Sequence, residues 1–140
     1  MKGMRIAFGT DDATHVTMAM LVHLRDLGHE LDVVAYPEGW GQAGRLVAEA
    51  VAAERADLGV ACCFTGTGVS IAANKVAGVR AALCVDAETA TGARRWNDAN
   101  VIAVSLRLTT EQLGRELLDA FLADIVVDPG QAAIVAALEG

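Results

Sequence analysis

Strand-like and helix-like segments alternate along the whole chain, and this alternation constrains the fold more than any other feature. Each apolar strand-like segment is followed by a stretch with apolar residues at helical spacing. The five predicted strands are 4–10, 31–36, 58–64, 79–85 and 101–106. Repeated strand–helix–strand units build a parallel sheet with helices on both faces. We therefore expect one domain over residues 1–140, a three-layer α/β/α sandwich with a Rossmann-like five-stranded parallel sheet.

The predicted helices and their caps complete this pattern. The helices are 13–27, a helix entered from the loop 37–44, then 66–76, 88–95, 110–122 and 131–138. Segment 58–64 is fully apolar, which predicts the central strand. Only 4% of residues are aromatic, so the core must be built from Ala, Val, Leu and Ile. Gly28 suits a helix C-terminus, and Asp11 or Asp12 is expected to cap the first helix, as Thr109 or Thr110 caps a later one.

Charge and cysteine content exclude several classes of function. The formal net charge is −7, and an acidic chain without a basic stripe is a poor ligand for nucleic acid or an anionic membrane. The start of the chain lacks the features of a signal peptide, so we expect a cytoplasmic protein. Three cysteines without a Cys/His cluster predict free thiols and no metal site. We expect Cys62 and Cys84 to be core residues.

The segment 63–70 is the strongest candidate for a site. In doubly wound folds, ligands bind beyond the carboxyl ends of the strands. This segment joins a buried strand to a helix, and its two glycines permit close approach of the backbone to a ligand. The N–H groups at a helix start can hold a phosphate or the oxyanion of an enediolate. Alone, such a turn is weak evidence, because it lacks the third glycine of a dinucleotide fingerprint and the lysine of a P-loop.

The residues that follow make the motif specific. The run from Ser70 through Asn74 and Lys75 to Asp86, together with the later segment 97–100 (Asn-Asp-Ala-Asn), resembles the ribose-5-phosphate isomerase B and galactose-6-phosphate isomerase family. The resemblance spans roughly residues 4–107, whereas 108–140 match poorly. It implies a cofactor-independent aldose–ketose isomerase that acts through a cis-enediol(ate).

The resemblance also implies roles for individual residues. Cys63 is the base that moves the carbon-bound proton, its thiolate stabilised by the helix N-terminus. Thr65 helps to move the proton on oxygen, and Arg107 meets a phosphate across a dimer interface. The remaining residues expected to bind substrate are Asp11, Asp12, Gly66, Thr67, Gly68, Ser70, Asn97 and Asn100. Family members are dimers or tetramers with shared active sites, so a homodimer or homotetramer is expected here.

Several departures from the family pattern share one direction. Asp12 and Trp96 replace histidines that face the phosphate and open the sugar ring. Phe64 replaces a common glycine, the second loop is altered around Trp40, and no Lys or Arg follows Arg115. These changes keep the enediol apparatus and remove the groups that hold a phosphate. They predict that the substrate is not ribose 5-phosphate but a smaller, unphosphorylated or differently substituted sugar.

Other interpretations stay open on sequence alone. Cys63 also fits a buried structural thiol, and the lost histidines also fit an inactive ligand-binding or accessory subunit of the same fold. An epimerase using the same site is a third possibility. Both Trp residues fit either a core position or a stacking surface for a sugar. His23 and His29 are expected to be solvated, and His15 is a candidate to replace a lost histidine.

Overall fold

The sheet has the predicted architecture. The computed structural model describes residues 3–139. Its strands are β1 (Arg5–Thr10), β2 (Glu30–Ala35), β3 (Leu58–Cys63), β4 (Ala81–Leu83) and β5 (Val101–Ser105). They form one sheet in the order β2-β1-β3-β5-β4, and each neighbouring pair is parallel. The order confirms the doubly wound parallel sheet and places the apolar strand β3 at its centre.

The helices cover both faces of this sheet. They are α1 (His15–Asp26), α2 (Trp40–Ala52), α3 (Thr67–Asn74), α4 (Ala87–Asn97), α5 (Glu111–Leu122) and α6 (Ala132–Leu138), with a 3-10 turn at Pro129–Gln131. α1, α4 and α5 pack on one face, and α2 and α3 pack on the other. None of the helices within residues 3–139 combines the length and apolarity needed to cross a membrane.

The two cores lie on opposite faces of β3. Cys62 and Cys84 belong to the core under α1, α4 and α5, while Cys63 belongs to the core under α2 and α3. Successive side chains of a strand alternate between faces, so the two adjacent thiols have different environments. The structure thus confirms Cys62 and Cys84 as core residues, and all three thiols are free.

Glycines allow α2 to lie unusually close to its neighbours. A Cβ atom at Gly44 of α2 would lie 2.7 Å from the Val69 carbonyl oxygen of α3. At Gly59 of β3, it would lie 2.5 Å from Val47 Cγ1 of α2. Neither distance is compatible with a side chain, so these positions fix α2 tightly against β3 and α3. This packing determines where the first residue of α2, Trp40, is held.

Two expectations about how helices begin were wrong, one at α1 and one at α2. Thr14, not Asp11 or Asp12, caps α1. The Thr14 side chain accepts a hydrogen bond from the Thr17 N–H, and the Thr14 N–H donates to the Thr17 side chain. Thr110 was one of two candidates and does cap α5. The helix α2 begins at Trp40, inside the segment predicted as loop, because Gly39 precedes a full apolar helical face.

The histidine expectations were also wrong in part. His29 is buried, and its Nδ1 accepts a hydrogen bond from the Met4 N–H at 3.0 Å. This bond ties the chain before β1 to the turn before β2. His23 is not freely solvated either, because its Nε2 lies 2.7 Å from Asp119 Oδ1 on α5. The contact between α1 and α5 thus partners His23, and the backbone of Met4 partners His29.

Candidate active site

A cleft of about 380 Å³ opens at the carboxyl ends of β1 and β3. The helix after β1 lies on one face of the sheet and the helix after β3 lies on the other, so this is the topological switch point at which such folds bind ligands. We call it the Cys63 cleft. Its lining residues are Asp11, Trp40, Cys63, Phe64, Thr65, Thr67, Gly68 and Ile71.

The loop after β3 presents open backbone donors to this cleft. Gly66 is the N-cap of α3 and has φ 79°, the left-handed region that favours glycine. A Cβ there would also lie 2.5 Å from Leu83 Cδ1, so only glycine fits. No side chain within residues 3–139 caps α3, whereas α1, α4 and α5 have side-chain caps. The first N–H groups of α3 are therefore free to bind an anionic group.

Two threonine hydroxyls lie beside these donors. Thr65 Oγ1 and Thr67 Oγ1 are 2.8 Å apart, within hydrogen-bond distance, and both side chains are exposed. A hydroxyl both donates and accepts, so a linked pair can pass a proton from one substrate oxygen to another. The arrangement places two linked hydroxyls in the lining of the cleft.

The end of β5 holds this loop in place. The Leu106 N–H donates to the Cys63 carbonyl at 2.9 Å. The Phe64 carbonyl accepts from the Arg107 N–H at 2.8 Å and from Ser105 Oγ at 3.2 Å. With its backbone fixed at three points, the loop keeps Cys63 at the base of the cleft.

Cys63 is the one cysteine that lines the cleft. It is 4% exposed, at the last position of β3. Burial raises the pKa of Cys62 far above that of an ordinary thiol, and it raises the pKa of Cys84 to about 11. Those two thiols stay protonated in the core and do not line the cleft. Among the described cysteines, Cys63 alone reaches it.

Asp11 contributes an unpaired acceptor next to this thiol. Its N–H donates to the Cys62 carbonyl at 3.1 Å, which fixes the residue at the end of β1. Its Oδ1 is buried and finds no hydrogen-bond partner among the described residues. Burial, and secondarily the neighbouring Asp12, raises the pKa of Asp11. An orphaned buried oxygen in a cleft is what a ligand hydroxyl would satisfy. Asp12 itself is exposed and does not line the cleft.

Asn97 and Asn100 lie away from the Cys63 cleft within one chain. Residues 97–100 precede β5, so they lie at the amino edge of the parallel sheet, whereas Cys63 lies at the carboxyl edge. Asn100 is hydrogen-bonded within its own chain there: its Nδ2 donates to the Gly78 carbonyl at 2.9 Å, and its Oδ1 accepts from the Arg80 N–H at 2.8 Å. Asn97 lines a separate hollow at that edge.

Three further candidates also stand outside the cleft. Arg107 is exposed, and Ser70 donates its N–H to the Gly66 carbonyl at 3.3 Å as part of α3. His15 pairs with Glu111, its Nδ1 2.8 Å from Oε2, and does not reach the cleft. No lost histidine is therefore replaced by His15 within this chain.

Sequence reasoning missed Ile71 and left the two tryptophans undecided. Ile71 lies four residues after Thr67, on the same face of α3, and this spacing was the available signal. Trp40 lines the cleft, with its ring against Gly68, where a Cβ would lie 2.7 Å from Cε3. Trp96 lies against Gly92 in a different hollow.

Solved structures of known proteins share this fold. A solved ribose-5-phosphate isomerase B from Clostridium thermocellum superposes with a TM-score of 0.92 at 31% identity, over 97% of this chain and 95% of that chain. The fold and site thus define a doubly wound α/β protein of the sugar-phosphate isomerase class.

Sequence comparisons identify the family. The profile of the Ribose/Galactose Isomerase family matches residues 6–137, and the chain belongs to that family. The ribose-5-phosphate isomerase B of Escherichia coli is 37% identical over 127 residues, 84% of this chain and 83% of that protein. The galactose-6-phosphate isomerase subunit LacB of Clostridium acetobutylicum is 51% identical over 79 residues, 56% of this chain but only 46% of that subunit.

Proposed function

We propose that this chain is a cofactor-independent aldose–ketose isomerase that acts on a small sugar through a cis-enediol(ate) in the Cys63 cleft. The observation that carries the proposal is the cleft itself. It brings the Cys63 thiol, the uncapped start of α3 and the unpartnered Asp11 oxygen to one place. The relatives named as isomerases of ribose 5-phosphate and galactose 6-phosphate support the reaction class.

In the proposed reaction Cys63 acts twice, first as a base and then as an acid. The Cys63 thiolate removes a proton from the carbon beside the substrate carbonyl, and negative charge develops on the carbonyl oxygen. The N–H groups of Thr67 and Gly68 stabilise that oxygen. The Thr65–Thr67 hydroxyl pair moves a proton between the two substrate oxygens. The Cys63 thiol then returns its proton to the neighbouring carbon, which restores the thiolate, while Asp11 holds a sugar hydroxyl.

The charge of the cleft argues against ribose 5-phosphate as its substrate. Among the described residues that line it, Asp11 is the one charged group, and no Lys or Arg is present. Asp12 lies next to it and adds a second carboxylate. From the side chains of its own chain that line the cleft, a phosphate dianion would gain no charged hydrogen bond, each worth about 1.5–3 kcal/mol, and it would meet like charge. We propose a smaller or unphosphorylated sugar instead.

A second copy of the chain would complete the site. Asn97 and Asn100 lie at the opposite edge of the sheet from Cys63, so one copy cannot bring them to its own cleft. We propose a homodimer or homotetramer in which the loop 97–100 and Arg107 approach the cleft of a neighbour, with Ser70 supporting it. Sedimentation analysis tests this proposal, and a monomer would contradict it. The three free thiols favour a cytoplasmic setting.

An accessory ligand-binding subunit is the second candidate. Trp96 stands where the family has a histidine linked to ring opening. Its side chain is exposed, and an indole is neither the acid nor the base that the histidine would be. A chain that binds a sugar without turning it over would explain that loss. An epimerase would exchange the same proton but give a different product, so product analysis separates it from an isomerase.

Product formation from free and phosphorylated tetroses, pentoses and hexoses tests the proposal. We expect turnover of an unphosphorylated or small sugar, reduced about 10³-fold by Cys63→Ala, since a positioned base contributes about 10²–10⁴-fold. Cys84→Ala is the matched control, because it removes a thiol from the core rather than the cleft. Ribose 5-phosphate turnover at ordinary enzyme efficiency would contradict the proposed specificity. Equal loss in both variants would contradict the role of Cys63.

A further inference from the structure

Three large apolar side chains that line the Cys63 cleft are exposed. The exposed fractions are 52% for Trp40, 65% for Phe64 and 59% for Ile71. Single exposed apolar residues are normal, but three that line one cleft form a patch. Exposed patches of this kind mark places where an apolar surface is bound. We call these three residues the apolar wall.

Packing and backbone hydrogen bonds hold the apolar wall in place. The Trp40 ring rests on Gly68, where even a Cβ would meet two of its ring atoms within 2.8 Å. The backbone of Phe64 is fixed by bonds from Arg107 and Ser105 to its carbonyl. Ile71 lies on α3, one turn after Thr67. A preorganised surface of this kind binds a ligand with little further loss of entropy.

The same cleft also has polar lining groups. Asp11, Cys63, Thr65 and Thr67 line it together with the apolar wall, and the Asp11 Oδ1 has no partner among the described residues. The cleft therefore suits a ligand that has both hydroxyls and an uncharged, apolar group. A phosphate against Trp40 and Phe64 would lose hydration and find no cation among the residues of its own chain that line the cleft.

From this combination of polar and apolar lining groups we infer that the Cys63 cleft selects a terminal-deoxy sugar, whose last carbon is a methyl group. The inference rests on the proposed function and names its substrate class. The reacting carbons and their oxygens face Cys63, the threonine pair and the start of α3. The methyl group contacts the apolar wall, which makes Trp40, Phe64 and Ile71 the residues that determine specificity. The carbon–hydrogen face of the sugar lies against the Trp40 ring.

The first test compares three sugars that differ at one carbon. Both enantiomers of 5-deoxyribose, ribose and ribose 5-phosphate are supplied to the wild-type protein, and kcat/KM is measured for each. We expect 5-deoxyribose to exceed ribose by about 10-fold, the lower end of what an apolar pocket gains from a small group. Ribose 5-phosphate should be the poorest of the three. A kcat/KM for ribose or its phosphate that equals or exceeds the deoxy sugar overturns the inference.

Variants of the apolar wall test the residues themselves. Trp40→Ala and Phe64→Gly should each lower the ratio of kcat/KM for 5-deoxyribose over ribose towards 1. Met18→Ala is the control, since Met18 is about as exposed as Trp40 but lies on α1 and does not line the cleft. Thermal melting confirms that each variant is folded. If the apolar wall instead contacts a second copy, the two variants shift the oligomeric state and leave the ratio unchanged, which overturns the inference.

A binding measurement separates this inference from the proposed function. Cys63→Ser is titrated with the same sugars, and the dissociation constants are followed by saturation-transfer NMR. Absence of turnover with every sugar would defeat the isomerase proposal. Tighter binding of the deoxy sugar would still support the inference, and equal or weaker binding would overturn it.

Discussion

The Cys63 cleft and a hollow at the opposite edge of the sheet differ in how their polar groups are paired. We call this second region the Arg80 hollow. Among its lining residues are Asn74, Arg80, Asn97 and Glu139. The Arg80 hollow is larger, about 540 Å³ against about 380 Å³. Three of its polar side chains, those of Asn74, Arg80 and Glu139, are nevertheless paired. The Asn74 side chain bonds both the N–H and the carbonyl of Ala81, at 2.8 and 3.0 Å.

Arg80 is the centre of the pairing in that hollow. Its Nε donates to the Asp98 carbonyl at 2.7 Å, and its Nη1 donates to Glu139 Oε1 at 2.5 Å. Glu139 also accepts from the Gly78 N–H. These bonds hold the turn between α4 and β5 and the end of the described chain. The two regions differ in that the Cys63 cleft holds an unpartnered buried oxygen of Asp11, whereas Asn74, Arg80 and Glu139 are paired in the Arg80 hollow.

Among substitutions in the two regions, the largest effect on activity is expected at Asp11. Asp11→Asn keeps the shape but removes the charge that holds a sugar hydroxyl, so kcat/KM should fall about 100-fold. Folding should become more favourable at pH 7, because a buried carboxylate without a partner is replaced by a neutral amide. Urea unfolding at pH 4 and pH 7 measures the second effect.

The pH dependence of this variant has a defined sign. The pKa of Asp11 is raised in the folded protein, so its contribution to stability is present below its unfolded pKa, about 3.9, and is lost as the pH rises through the raised value. Asp11→Asn should remove this pH-dependent loss of stability. Asp32→Asn, on the exposed side of β2, is the control. A variant that is both active and less stable would contradict the assignment of Asp11 to the site.

The next largest effect is on stability and belongs to the Arg80 hollow. Arg80→Ala leaves Asp98 and Glu139 without their partner, so the free energy of unfolding should fall by about 2–3 kcal/mol. Arg45→Ala removes only the exposed pair with Glu49 on α2 and should cost about 0.5 kcal/mol. Chemical denaturation compares the two. Equal costs would mean that the pairing in the hollow contributes no more than a surface ion pair.

Two glycines allow a finer comparison. Gly68→Ala forces the Trp40 ring away from the cleft and should lower kcat/KM by about tenfold, an energy of about 1.4 kcal/mol. Gly78 has φ 85° with no atom near its Cβ position, so Gly78→Ala should cost about 1–2 kcal/mol of stability through backbone strain. Steady-state kinetics and unfolding on both variants measure the contrast. If Gly78→Ala lost more activity than Gly68→Ala, the functional assignment of the two regions would be reversed.

The smallest expected effect concerns His29, which lies in neither region. Burial lowers its pKa, so its contribution to stability is present above its unfolded pKa, about 6.5, and is lost as the pH falls through the lowered value. Unfolding at pH 7.5 and pH 5.5 should show a loss that His29→Gln reduces. His15→Gln is the control because His15 is exposed. An unchanged loss in His29→Gln would show that another group titrates.

The fold was predictable because its signals are local and repeated. The alternation of segments gave five strands and the α/β/α layers, and the apolar run at β3 gave the central strand. The core position of Cys62 followed from strand alternation, and that of Cys84 followed from the family resemblance. The burial of His29 was hidden, since its partner is the backbone of Met4, 25 residues earlier. The capping by Thr14 was hidden because two aspartates stood closer to the expected helix start.

The site was predictable at the carboxyl edge and less so elsewhere. Cys63, Thr65 and Asp11 adjoin strands whose ends must meet, so a sequence pattern places them together. The loop 97–100 precedes its strand, and parallel topology puts it at the other edge. The family resemblance alone did not reveal this separation. The apolar wall was missed because Trp40, Phe64 and Ile71 come from three elements whose convergence depends on the α2–α3 packing at Gly44.

Hydrogen–deuterium exchange into the substrate tests the central claim most directly. The protein is incubated in deuterated water with terminal-deoxy, free and phosphorylated sugars, and proton NMR follows the signal at the carbon beside the carbonyl. The account predicts wash-out by the wild-type protein and by Met18→Ala, and none above background by Cys63→Ala. Wash-out that persists in folded Cys63→Ala at the wild-type rate would contradict the account.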